Sequence, residues 1–276
     1  MAAFSVGTLT HILSQLLPEP HAGLLSGLLF GTKATLSKEL YEQLITTGTI
    51  HIIALSGMNI TILIDLVASS LNRFVSKRVA SAVTVGVICW FVWFVGGSAT
   101  IIRAAIMGTL TLVAILFGRQ YWALLSLLLA IGIMLLIHPS WIIEVSFQLS
   151  VAATLGIILF GSTKKRGDET KNGSKMLYTF FYGIEESFRL TLSAQVFTIP
   201  IIFLSFHRIS FIGPLTNVAI GWVIAPVTTV GWVTCVLGFV WLPFGYIPAW
   251  ISWVMLEYLI RTVQILSRVP FASVGL

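Results

Sequence analysis

Charge is scarce in this chain: 9% of its 276 residues are Asp, Glu, Lys or Arg, against about 25% in ordinary soluble domains. Acidic side chains number only 10, against 16 Lys and Arg, so a carboxylate-rich solvated surface is excluded. Cysteine is nearly absent. Cys89 and Cys235 lie far apart inside apolar runs, which leaves neither a CxxC pair nor a disulfide framework and indicates no redox compartment. The histidines, His11, His21, His51, His138 and His207, are scattered rather than grouped at ligand spacing, so no metal site and no cofactor is expected.

Apolar residues fill the gap, at 57% of the chain with a mean hydropathy of +0.98. Apolar stretches run at 50–70, 79–96, 99–118, 121–137, 140–160, 177–205, 211–239 and 242–268, each near or above the roughly 17–25 residues that cross a bilayer. The expected fold is all-α: a polytopic transmembrane helical bundle with short re-entrant or interfacial helices.

Residues 1–48 read as a re-entrant and interfacial segment ahead of a membrane domain over 49–276. HILSQLLPEP is interrupted by Pro18 and Pro20 and no small-residue cleavage site follows a basic start, which argues against a signal peptide. Gly23, Gly27 and Gly31 recur every four residues, putting small residues on one helical face where another backbone can approach. SKELYEQLITTG has Ser37 as N-cap, Leu36, Leu40 and Leu44 on one stripe and Gly48 as a stop, the pattern of an amphipathic interfacial helix.

Lys and Arg collect on the cytoplasmic side of membrane proteins. Arg73, Lys77 and Arg78 follow the first long span; 96–98 is uncharged; Arg119 comes next; 138–140 carries no Lys or Arg; and 161–176 holds Lys164, Lys165, Arg166, Lys171 and Lys175. The alternation places Gly48 outside. Beyond residue 205 it becomes ambiguous, because alternation puts Arg261 and Arg268 outside unless the Gly221, Pro226 and Gly231 stretch is broken or re-entrant.

Ionisable residues at bilayer depth are costly and mark sites by default. The segment 48–65 threads His51, Ser56, Asn59 and Asp65 through an apolar run, while Arg103, Glu144 and Gln148 lie near the outer ends of two further spans. Glu144 and Gln148, four apart, share a helix face. A charged Arg103 costs about 2.5–3.5 kcal/mol at depth unless paired or hydrated, so a buried Arg103–Glu144 pair is the economical expectation. The blander reading is that the pair only locks helices together, with His51 a core histidine. Glu185, Glu186, Arg189 and Gln195 form a second polar group. Trp90, Trp93, Trp122, Trp141, Trp222 and Trp241 fall near span ends, as belt anchors do.

The ordered blocks GLLSGLLFGTKATLSKELYEQLITTGTIHIIALSGMNITIL, GGSATIIRAAIMGTL, HPSWIIEVSFQLSVAATLGI and SAQVFTIPIIFLSFHRISFIGPLTNVAIGWVIAPV resemble the membrane "competence" domain of the ComEC DNA-uptake channel family. His51, Ala54, Ser56 and Gly57 match its H-x-x-A-x-S-G block; Ser98, Arg103 and Ala104 match S-x-x-R-A with two extra residues; Phe147, Gln148, Leu149 and Ser150 match F-Q-L-S. Ala194, Gln195 and Pro200 match A-Q-x-x-x-x-P, and Leu215 and Asn217 match L-x-N. Many members carry S-G-L-H where this chain has Ser56-Gly57-Met58-Asn59. Asn59 replaces that histidine as a hydrogen-bonding group but not as a proton or metal carrier.

The resemblance implies a multi-pass channel in the bacterial inner membrane that conducts single-stranded DNA into the cytoplasm during natural transformation. It implies a path lined by His51, Ser56, Asn59, Arg103, Glu144, Gln148, Gln195 and Asn217. Its implied partners are single-stranded DNA, the lipid bilayer, a separate nuclease, a DNA receptor, a cytoplasmic motor and a second copy of the chain. Family members fuse this part to a β-domain and a metallo-β-lactamase-like domain; neither pattern is expected here, and with no H-x-H-x-D-H cluster the chain is expected not to be an enzyme. Two other classes compete. A broken helix at Ser56-Gly57 suits a small-solute or ion transporter. Ala54-Leu55-Ser56-Gly57 partly resembles the nucleophile loop of rhomboid-type intramembrane serine proteases, without its first glycine and without a histidine on a helix facing Ser56.

Overall fold

The structure is a computed structural model that describes residues 5–32, 36–52, 57–118, 120–161, 175–206, 208–269 and 273–275. Among the described residues the chain forms α1 (Val6–Leu16), α2 (His21–Phe30), α3 (Lys38–Thr46), α4 (Gly57–Leu71), α5 (Lys77–Val95), α6 (Ala99–Leu116), α7 (Ala123–Ile137), α8 (Val145–Phe160), α9 (Lys175–Phe206), α10 (Gly213–Val240) and α11 (Leu242–Ser267). Two short strands, β1 (Arg208–Ser210) and β2 (Ser273–Gly275), pair antiparallel. The architecture is all-α, as the apolar runs imply. Lys77–Val95, Ala99–Leu116, Phe188–Ser205 and Gly213–Val240 are long and apolar enough to cross a membrane, and four shorter apolar helices join them.

α2 is ten residues long with every residue buried. At 1.5 Å per residue it covers about 15 Å of an approximately 30 Å hydrocarbon layer, and a half-length helix is tolerated at depth only where protein encloses it. Its apolar side chains join those of α1, α10 and α11 in one core, so this core runs across residue 48. Gly23 and Gly27 are buried on α2, and close approach to neighbouring helices is seen at the glycines of α10. A Cβ on Gly231 would come 2.7 Å from Leu25 Cδ1, and one on Gly238 would come 2.8 Å from Ile12 Cγ2. Gly31 instead ends α2 in the left-handed region, at φ 72°.

α3 forms where its cap and stripe predict. The Ser37 hydroxyl accepts from the Leu40 amide at 3.3 Å, and Leu40 and Leu44 are buried. α10 runs unbroken through Pro226, so the interruption entertained at 221–231 does not occur. The Ser210 hydroxyl donates to the Thr46 carbonyl at 2.8 Å while β1 pairs with β2. The α3–α4 turn, the α9–α10 connection and the segment after α11 therefore meet at one place.

The fifth apolar stretch divides differently from the sequence expectation. Pro139–Ile143 winds as a 3-10 turn and α8 begins at Val145 with Glu144 as its N-cap. Pro139 suits the first position of such a turn because its missing N–H has no partner to lose.

Candidate functional site

Periodicity puts Gly57, Thr61, Asp65 and Ala68 on one face of α4, and Arg103, Met107 and Thr111 on one face of α6. These faces line a shared cleft of about 570 Å³, closed further by Ser81 of α5, Thr154 of α8 and Tyr121, with Asn72 and Lys77 beyond the end of α4. From Gly57 to Asn72 the cleft follows fifteen residues, about 22 Å at helical rise. That is most of the thickness of a hydrocarbon layer of about 30 Å.

Arg103 sits at the Gly57 end. Its Nη1 donates to the Ser150 carbonyl at 3.0 Å, and the same carbonyl accepts from the Thr154 hydroxyl at 2.9 Å. Nη2 lies against Gly57, where a Cβ would come within 2.7 Å, so the missing side chain makes room for the guanidinium. Nε is buried and unpaired. The expected Arg103–Glu144 pair is not formed: Glu144 is exposed at the start of α8. Out of the helix and in contact with solvent, Glu144 pays little desolvation and needs no cation. Gln148 is equally local, its Nε2 donating to the Ile142 carbonyl at 2.9 Å.

Asn59 is buried one turn below the cleft mouth, and its Nδ2 donates to the Leu28 carbonyl at 2.7 Å. It ties α4 to α2 rather than lining the cleft. His51 is exposed in a 3-10 turn with Nδ1 at 3.0 Å from the Gly48 carbonyl. Gln195 of α9 reaches toward the start of α10, its Nε2 3.5 Å from where a Cβ on Gly213 would lie, and Asn217 follows one turn along α10. Ser56 lies outside the described residues, as do Ala54, Leu55, Arg119 and His207.

The predicted residues thus fall in separate places: Arg103 in the cleft, Gln148 and Glu144 beside it, Asn59 in the core, and His51, Gln195 and Asn217 around the Gly48–Ser210–Gly213 junction. Sequence reasoning missed Thr61, Thr111, Thr154 and the cleft role of Lys77. The four-residue repeats Gly57–Thr61–Asp65 and Arg103–Met107–Thr111 were the available signal. Among the described residues no cluster of three His, Cys, Asp or Glu side chains has metal-binding geometry.

Comparison with known proteins bears on the chain as a whole. Over 211 residues it is 25% identical to ComE operon protein 3 of Bacillus subtilis (strain 168), covering 75% of this chain and 26% of that relative. Over 144 residues it is 29% identical to an uncharacterized protein of Aquifex aeolicus (strain VF5), covering 52% of this chain and 34% of that relative. The chain thus matches about a quarter to a third of the length of these relatives. No solved structure matches it. The family model described as Competence protein matches residues 28–276, nine-tenths of a membrane-type helical bundle, and the chain belongs to that family.

Proposed function

We propose that this chain is the membrane channel part of a DNA-uptake machine, conducting single-stranded DNA across the bacterial inner membrane into the cytoplasm during natural transformation. The observation that carries the reading is Arg103. Its guanidinium faces a long polar cleft and is held by a neutral carbonyl, so its positive charge is fixed in place without being cancelled. A fixed, uncancelled cation attracts phosphates regardless of base sequence, and the threonine hydroxyls along the cleft offer hydrogen bonds that do not read bases. Gly57 admits the guanidinium, and the Ser150 carbonyl aims it.

Strand degradation, DNA capture and the driving motor belong in this reading to separate partners, with a second copy of the chain as a further candidate. In this reading the chain acts as a conduit and not an enzyme. His51, Ser56, Glu144, Gln148, Gln195 and Asn217 join the path as neutral or entrance-lining groups in the wider form of the proposal, while Asn59 holds α4 to α2. Asp65 is the observation that favours the second reading, a small-solute or ion transporter, because a carboxylate midway along a cleft opposes a polyanion and welcomes a cation.

The test is entry of labelled DNA into the cytoplasm of cells that express each variant at equal membrane levels, with the partner proteins supplied. Arg103→Gln is expected to reduce uptake at least tenfold, and Arg103→Lys to retain part of it, since a point charge still attracts phosphate after the planar fork is lost. Wild-type uptake by Arg103→Gln would overturn the proposal. Sodium-driven or proton-driven solute accumulation by vesicles containing the protein would favour the transporter.

A further inference from the structure

Tyr121 stands in the connection between α6 and α7, yet its side chain turns back into the cleft. It lines the same space as Arg103, Thr111 and Thr154, and its phenol is close enough to interact electrostatically with the Arg103 guanidinium. Arg103 lies thirteen residues before the end of α6 at Leu116, about 20 Å at helical rise, so the two side chains meet only because the ring points inward along the cleft. The next residue, Trp122, has extended backbone at φ −106° and ψ 102°, and successive side chains of an extended chain point to opposite sides. Trp122 is accordingly 70% exposed on the outside, where an interfacial anchor belongs. Tyr121 is 39% exposed and faces the cleft, so the anchoring role does not account for it. Among the described residues its ring stacks on no other aromatic and its hydroxyl has no hydrogen-bond partner. Arg103 and Lys77 line the same cleft. A free aromatic face and cations in one groove are the two elements by which proteins hold single strands: the cations attract phosphates and the bases stack on the ring.

We infer that Tyr121 is the base-stacking platform of the cleft, with a nucleobase of a single strand lying on its ring while a neighbouring phosphate is drawn to Arg103. Such a ring does not read sequence, since every base has a π face. It does read whether a base is free, because a base stacked and paired within a duplex has no face to offer. The inference rests on the proposed conduit and deepens it, naming the group that makes the cleft prefer an unpaired strand to a polyanion without bases.

The test is equilibrium binding to the full chain in detergent, read by fluorescence anisotropy, of two labelled probes of equal length and charge: an oligothymidylate, and the same deoxyribose phosphate chain without bases. Wild type should bind the base-bearing probe about fivefold or more tightly, the lower end of what one stacked base contributes. Tyr121→Leu should bring the two affinities together, and Tyr121→Phe should keep them apart because the ring remains. Arg103→Gln should weaken both probes alike and leave their ratio unchanged. A tyrosine that served only as an anchor would alter stability or insertion and not this ratio. Equal affinities in wild type, or a wild-type ratio in Tyr121→Leu, would overturn the platform; if Arg103→Gln still weakens both probes, the conduit reading survives that result. Binding of neither probe by wild type would overturn both.

Discussion

Asn59 shows how one residue's role follows from its surroundings. In this fold its amide is spent on a single buried bond, Nδ2 to the Leu28 carbonyl at 2.7 Å. Its Oδ1 is buried without a hydrogen-bond partner among the described residues. Its work is to hold α4 against α2, and a histidine ring N–H makes the same donation. Asn59→His should therefore leave thermal stability in detergent close to wild type and DNA uptake intact. Asn59→Leu removes the donor at nearly equal volume and should cost about 1–2 kcal/mol. Equal stability of the Leu and His variants would show that the bond contributes nothing. The same arithmetic explains why Arg103 needs no carboxylate. A charge at depth costs about 2.5–3.5 kcal/mol if left alone, and a carbonyl bond together with an open polar cleft offsets it without cancelling the charge.

Helix contacts in this bundle rest on small residues, since lipid offers no hydrophobic drive for helix association and close packing must supply the attraction. The tightest case is α8 on α9. A Cβ on Gly156 would sit on the Ser193 carbonyl oxygen, which is backbone and cannot swing away. Gly156→Ala must push the two helices apart and is expected to cost about 1–3 kcal/mol or more, read as a lower melting temperature in detergent. By contrast Gly86 and Gly132 have open space around their Cβ positions, and alanine there should change stability little. A Gly156→Ala variant as stable as Gly86→Ala would refute this account of the α8–α9 contact. Such packing also marks how far the sequence could be read. The amphipathic α3 was legible from Ser37, Leu40 and Leu44, and the spans from hydropathy, because both are local patterns. Which small residue receives which leucine was not, because Gly231 meets Leu25 only through the tertiary fold. Glu144 was misplaced for a local reason, the 3-10 turn at Pro139–Ile143, and the Arg103–Glu144 pair failed with it.

The sidedness of the whole molecule follows from two independent lines that agree. Loop charges put residues 71–78 and 161–176 inside and 96–98 and 138–140 outside. The fold adds parity. Six helices, α4 to α9, separate Thr46 from Ser210, and an even number of crossings returns the chain to the side it left; the Ser210–Thr46 hydrogen bond requires that return. Two more helices, α10 and α11, separate β1 from β2, and their pairing requires it again. With α10 unbroken through Pro226 and β1 paired with β2, the fold predicts that Arg268 lies on the side of Gly48, external despite the usual bias. That bias is set by the loops near the first spans and tolerates exceptions toward the end of a chain. In a variant with Cys89 and Cys235 replaced by alanine, single cysteines at Ser98, Ser140 and Arg268 should react in intact cells with a membrane-impermeant thiol reagent, and one at Ser76 only after permeabilisation. The position that decides is Arg268. Charge counting alone leaves it open and the paired strands do not, so protection of Arg268→Cys in intact cells, with Ser98→Cys labelled, would mean that α11 does not cross the membrane and that Gly48, Ser210 and the end of α11 do not share a side.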